Sequence, residues 1–228
     1  MGGGDGRGYG KVGSSNDAEN AIPYRHERII LFVRRKGTRR LLNSLDLQEI
    51  ARNRIAKIAA LEEKDGGKGG STFVVKGSIF LEEMTFTQQL LLFQSTAILI
   101  AVHGQGCTNT LFMKGEGQSA LLMVMPYDFF GWHYVYANAA VSLGVHAIVM
   151  MRPDDHPTGG WQGGVDNDRV NARRDENFKL REDIFEDGLE IALARVQGSG
   201  SGGEWKGGFV EERVVDVEYV RGAEMLEF

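Results

Sequence analysis

The chain has 228 residues, with 26 lysines and arginines against 31 aspartates and glutamates, a formal net charge of −5 and an isoelectric point of about 5.6. No global field draws such a molecule to nucleic acid or anionic lipid, so any cationic site has to be local. The apolar share of 42% supports the core of one domain, no apolar run reaches the roughly 20 residues of a membrane-spanning helix, and the single cysteine, Cys107, cannot close an internal disulfide.

The opening "MGGGDGRGYGKVGSSNDAEN" has neither the basic start nor the apolar stretch of a signal peptide, and reads as a flexible lead or a cut end. "RIILFVR", Arg28 to Arg34, is a β-rich run that stops on arginine. Asp46 and Glu49 then cap a helix with Leu47, Ala51, Ile55, Ile58 and Leu61 on one face. "STFVVK" (71–76) predicts a second strand and Glu82 to Gln94 a second helix. "TAILIAVH" (96–103) follows as a third strand, "TNTLFM" (108–113) as a short helix and "SALLMVM" (119–125) as a fourth strand. "WHYVYANAAVSLG" (132–144) is a helix closed by Gly144, and "VHAIVMM" (145–151) a fifth strand. Farther on, Phe185, Leu189, Ala192 or Leu193, and Val196 share one face of a last helix, and "FVEERVVDVEYV" (209–220) reads as an edge strand or hairpin.

Strands apolar on both faces and alternating with helices predict an α/β fold: a Rossmann-like, mostly parallel sheet with helices on both faces. The 31 glycines mark its borders, concentrating at 2–13, 65–70, 159–164 and 198–208, where runs without side chains to bury read as loops or linkers. The organisation predicted is a flexible segment over 1–27, an α/β domain over 28–197, and a Gly-rich linker with the edge strand over 198–228.

In a parallel sheet, ligands bind beyond the carboxyl ends of the strands. Two polar clusters fall there: Arg34, Arg35, Arg39 and Arg40 after the first strand, and His103, Gly104 and Gly106 after the third. Glycine admits close backbone approach, a helix beginning near Thr108 offers unpaired N–H groups, and arginine supplies bidentate donors for phosphate. Together they describe an anion pocket suited to a diphosphate. Each cluster also has a plainer explanation. A Gly-x-Gly turn can serve packing alone, an arginine pair can be a solvated edge, and His103 can be a hydrogen-bonded support for the turn.

Three sharper motifs fail on the letters. Gly104, Gly106 and Asn109 put asparagine at the third glycine of G-x-G-x-x-G, and no acidic residue ends the next strand, which argues against dinucleotide binding. "HGQG" is like the oxyanion loop of lipases, yet no G-x-S-x-G supplies a nucleophile. "DND", Asp166 to Asp168, lies in a Gly-rich loop with no strand before it and reads as solvated rather than metal-binding.

"ILFVRRKGTRRLLN", followed by "LEEMTFTQQLLLFQSTAILIAVHGQGCTNTLFM", resembles glycosyltransferase family 61, which includes glycoprotein GlcNAc transferases and plant xylan xylosyl- and arabinosyltransferases. Arg34, Arg39, Asn43, Gln88 or Gln89, His103, Gly104, Gly106, Thr108, Asn109 and Phe112 stand at matching positions, and "DENFKLREDIFEDGLEIAL" is similar to the family's closing helix. The resemblance covers residues 28 to 196.

It implies the C-terminal half of a GT-B type fold and an inverting transferase. Such an enzyme moves sugar from a UDP-sugar donor to a glycan or glycoprotein acceptor, without a cofactor, a metal or a nucleic-acid partner. The donor diphosphate would be held by Arg34, Arg39, His103, Gly104, Gly106, Thr108 and Asn109, with no catalytic base assigned. The resemblance further implies the secretory pathway, in the Golgi or ER lumen, with the membrane anchor and the acceptor lobe outside this chain. A non-catalytic nucleotide- or partner-binding module derived from the same lobe is the alternative. Gln105 and Cys107 stand where the family has a small residue and leucine, which implies a narrower pocket or a different sugar.

Overall fold

The computed structural model describes residues 27–36, 40–64, 73–124, 133–150, 177, 179–198, 217–220 and 225–226. Strand β1 (Arg28–Val33) leads into helix α1 (Ser44–Lys64), then β2 (Phe73–Ile79), a 3₁₀ turn (Leu81–Glu83), α2 (Phe86–Gln94) and β3 (Thr96–Val102). A 3₁₀ helix (Gln105–Phe112), β4 (Ala120–Val124), α3 (His133–Ser142) and β5 (His146–Met150) follow. The last elements are β6 (Lys179–Leu180), α4 (Glu182–Gly198), β7 (Val217–Val220) and β8 (Met225–Leu226).

Six strands form one sheet in the order β2-β1-β3-β4-β5-β7, every pairing parallel. The α/β, Rossmann-like class read from the sequence is what the chain adopts. β6 pairs antiparallel with β8 as a separate ribbon. The run 209–220 therefore contributes a strand parallel to β5, over Val217–Val220.

The alternation of side chains along each strand explains why both faces are apolar. Ile30, Phe32, Ile98 and Ile100 point to one side, where Leu47 and Ala51 of α1 and Phe185 and Leu189 of α4 cover them. Ile29, Leu31, Leu99 and Leu121 point to the other, beneath Phe93 of α2 and Ala137 and Val141 of α3. The helices change sides for a topological reason. The chain leaves β1 toward β2, then turns back past β1 to β3, and right-handed crossovers running in opposite directions place α1 and α2 on opposite faces.

Local departures from the sequence reading have local causes. The helix expected over 82–94 breaks at Met84 and Thr85, because Thr85 caps α2: its side chain accepts from Gln88 N at 3.3 Å while Gln88 Oε1 accepts from Thr85 N at 2.8 Å. α1 begins at Ser44, ahead of Asp46, and Leu61, placed on its apolar face, is 61% exposed because that end of the helix has outrun the sheet. The second strand runs over Phe73–Ile79 rather than 71–76. Among the described residues no helix is long and apolar enough to cross a membrane. The N-terminal lead, the glycine runs at 65–70 and 159–164, Asp166 to Asp168 and Arg39 lie outside the described residues.

Two polar links fasten the loop after β1 to the start of α4. Asn43, buried, donates from Nδ2 to Leu180 O at 2.7 Å and accepts from Leu180 N at 3.2 Å. Arg40 donates from its backbone N and its Nε to Asn177 Oδ1, at 3.0 and 3.3 Å. At the opposite end of the sheet, Arg28 lies 4.6 Å over the Phe73 ring and donates to Val196 O near the C-terminus of α4, with burial holding its pKa below the usual arginine value.

Replacing Asn43 with Ala strips both backbone groups of Leu180 of their partner in a buried position. Urea denaturation should show a loss of about 2–3 kcal/mol; a loss under about 0.5 kcal/mol would mean that the link carries no stability.

Candidate functional site

β1 is the strand at which the order of the sheet reverses, with β2 on one side and β3 on the other. Ligands of open α/β sheets bind at such a switch point, beyond the strand ends. A cleft of about 280 Å³ opens there. Its walls come from three neighbouring strand tips: Leu81 and Glu82 after β2, Val33, Arg34 and Arg35 after β1, and Gln105, Gly106 and Asn109 after β3, with Gln89 of α2 behind them. A smaller recess of about 20 Å³ on the α1 side of the same tip is lined by Arg34, Arg35 and Arg40 among others. Arg34 and Arg35 therefore meet the glycine turn on one rim.

Five of the described cations sit in ion pairs. Lys36, Arg52, Arg54, Lys76 and Arg181 each pair with a carboxylate. Arg34 instead stacks at 5.5 Å on the Phe80 ring, and Arg35 donates from Nη1 to His103 O at 3.3 Å. Among the described residues neither guanidinium has an acidic partner within salt-bridge distance. Lys36 also approaches Phe80, at 5.2 Å. Its ammonium is fully exposed, and the hydrogen bond to Glu83 holds its pKa above the usual lysine value, with the charges of Glu83 and Glu82 adding.

The turn after β3 explains itself residue by residue. Gly104 has φ 144° and ψ −168°, a region essentially closed to side-chain-bearing residues. The 3₁₀ helix starts at Gln105, three residues before the start expected at Thr108, with Cys107 N donating to Gly104 O at 2.9 Å. Three successive side chains hold the tight winding by donating to the carbonyl three residues back: Thr108 to Gln105 O at 2.5 Å, Asn109 to Gly106 O at 3.1 Å, and Thr110 to Cys107 O at 2.9 Å. The first intrahelical bond leaves the amides of Gln105 and Gly106 at the N-terminal end of the helix, and both residues line the cleft.

The sequence candidates separate accordingly. Arg34, Gly106 and Asn109 line the cleft. Gly104 shapes the turn. Thr108 is exposed beside the cleft, and its hydroxyl proton is committed to Gln105 O. His103 is 3% exposed, donates its backbone N to Val124 O, and sets its ring edge-on to Tyr136 at 5.0 Å. Of the alternatives Gln88 and Gln89, Gln88 is the cap of α2 while Gln89 reaches the cleft and donates to Leu81 O and Met84 O. Of the two departures in the turn, Gln105 lines the cleft, whereas Cys107 is wholly buried with its Sγ toward Val102 O at 3.7 Å. Cys107 thus belongs to the core and does not narrow the pocket.

The wall after β2 was not singled out by the sequence reading. Glu82 was expected on a helix, and only the adjacency of β2 to β1 reveals it as a strand-tip residue. Leu81 is an ordinary apolar letter whose place follows from the same adjacency.

Residues 11–118 match the model of the family described as Glycosyltransferase 61. Every residue lining the 280 Å³ cleft falls within that span. The match begins inside the N-terminal segment and stops just ahead of β4, so the likeness drawn through α4 extends beyond it. No curated protein matches the chain.

The two glycines of the turn should respond differently to alanine. At Gly104 the backbone conformation makes the change cost about 1–3 kcal/mol. At Gly106, φ is not positive and an added Cβ would meet only Val33 Cγ1 at 3.6 Å, an ordinary contact, so stability should move by less than about 1 kcal/mol, toward stabilisation. Urea denaturation of both variants checks the contrast, and equal losses would contradict it.

Proposed function

With residues 11–118 supporting membership of glycosyltransferase family 61, and sugar transfer as the general activity, we propose that the cleft holds the diphosphate of a UDP-sugar in an inverting, metal-independent transfer to a glycan or glycoprotein. The observation that carries this reading is the meeting of two guanidinium groups with no acidic partner among the described residues, Arg34 and Arg35, with the N-terminal end of the turn at Gln105 and Gly106 in one cleft. Arg39, outside the described residues, joins them by resemblance alone.

In such a reaction the acceptor hydroxyl forms a bond to the anomeric carbon as the bond from that carbon to the β-phosphate oxygen breaks. The hydroxyl proton passes to a base, and UDP leaves with the bonding electron pair. Negative charge grows on the β-phosphate, where prearranged cations and N–H dipoles stabilise it more in the transition state than before it. Arg34 and Arg35 supply the charge, and the turn supplies dipoles that need no reorganisation. Gly106 keeps the wall between them bare of side chain. The base and the acceptor are assigned to no described residue. By resemblance to the family, the same reading places the transfer in the lumen of the secretory pathway.

Arg34→Ala should lower transfer by about 10²–10³-fold, the usual loss for one donor to a developing oxyanion, while its thermal melt stays near wild type. Gly106→Ala should fold normally and bind UDP more weakly. Wild-type turnover in Arg34→Ala would refute the assignment. UDP binding with no UDP release from any UDP-sugar would favour the non-catalytic module instead. Chelation by EDTA should leave transfer undiminished, and loss of activity restored by a divalent cation would overturn metal independence.

A further inference from the structure

The cleft contains one feature that a diphosphate does not explain. Glu82, on the tip after β2, lines the same cleft as the two arginines. Facing bound phosphate alone, it would only repel. It is exposed, and among the described residues it makes no hydrogen bond or ion pair, since the neighbouring Lys36 pairs with Glu83 at 2.8 Å. An ionised carboxylate that only accepts hydrogen bonds has a use beside an anion when the ligand also presents hydroxyl donors.

Its position selects which hydroxyls. The three strand tips run in the order β2, β1, β3, with neighbouring strands about 5 Å apart. Phosphate between the tips of β1 and β3 has the tip of β2 one strand to its side. That is about the span of the single sugar ring joined to the α-phosphate. A carboxylate on the tip of a neighbouring strand accepting from a ribose diol is a general solution in open α/β sheets.

Resting on the reading of the cleft as a nucleoside-diphosphate site, we infer that Glu82 accepts hydrogen bonds from the ribose hydroxyls of the bound nucleotide and so makes the site selective for ribonucleotides.

The experiment is calorimetric titration of the full chain with UDP and 2′-deoxy-UDP, for wild type, Glu82→Ala and Glu82→Gln, with thermal melts as a check on folding. Wild type should prefer UDP by roughly ten-fold, the scale of one hydrogen bond to a charged group. Glu82→Ala should bring the two affinities together, mainly by weakening UDP, while 2′-deoxy-UDP binds as well as before or better once the negative charge is gone. Glu82→Gln should fall between. Equal binding of both nucleotides by wild type, or an undiminished preference in both variants, overturns the assignment while leaving the diphosphate site intact. Failure of wild type to bind either nucleotide overturns the diphosphate reading, and this one with it.

Discussion

The interaction on which the site depends is the double pairing of β1, which shares parallel registers with β2 on one flank and β3 on the other. Because β1 enters the sheet first and its two neighbours are laid down in opposite directions from it, the loops leaving β1 and β3 diverge toward opposite faces. The space between them is a consequence of that divergence. Ile30 beside Ile98 and Phe32 beside Ile100 fix the register by burying one face, while Leu31 beside Leu99 buries the other. A slip of one residue would exchange every one of these side chains between layers. The tips that carry Arg34 and Gly104 are therefore held level by the core rather than by the polar residues themselves.

Within this frame the charge arrangement is local, as an acidic chain requires. Five of the described cations are answered by carboxylates, and each such exposed pair adds little stability. Arg34 and Arg35 are held by other means, one on an aromatic ring and one on a backbone carbonyl, so no carboxylate among the described residues neutralises their charge. A neighbouring carboxylate at salt-bridge distance would have fixed the same guanidinium groups and cancelled the field that an anion needs. The contact from Arg35 to His103 O also joins the two strand tips directly, so one side chain both contributes charge and fixes the width of the cleft.

Much of this was legible in the letters. The apolar runs gave the central strands, and the arginines after "ILFV" and the glycines after "ILIAV" mark the carboxyl ends at which a parallel sheet binds its ligands. Less legible was whatever depends on adjacency between distant strands. Glu82 becomes a cleft residue only because β2 flanks β1, and a continuous helix over 82–94 was the natural expectation until Thr85 and Gln88 are seen capping each other. The role of Asn43 depends on adjacency in the same way, because its amide is spent on the backbone of Leu180, far along the chain. Cys107 looks like a pocket residue by its place in the turn, but the 3₁₀ winding rotates it beneath the turn, whereas Gln105 faces the cleft.

The division of roles within "HGQGCTNT" shows how a short turn can serve fold and site together. Gly104 is a glycine because of its backbone angles, whereas Gly106 has room for a methyl group and backbone angles that would accept one. What the absent methyl preserves at Gly106 is open space on the cleft side, which matters to a ligand and not to the core. His103 acts from the opposite direction. Its ring is packed against Tyr136, its amide continues the ladder to Val124, and its carbonyl receives Arg35. A buried imidazole at this point fixes the turn from behind, and any influence it has on a bound anion is transmitted through the position of Arg35 and of the amides that follow. The three side-chain bonds from Thr108, Asn109 and Thr110 complete the same task from the far end, by holding the winding of the turn that carries those amides. Preorganisation of this kind is what separates a turn that stabilises charge in a transition state from one that merely tolerates it.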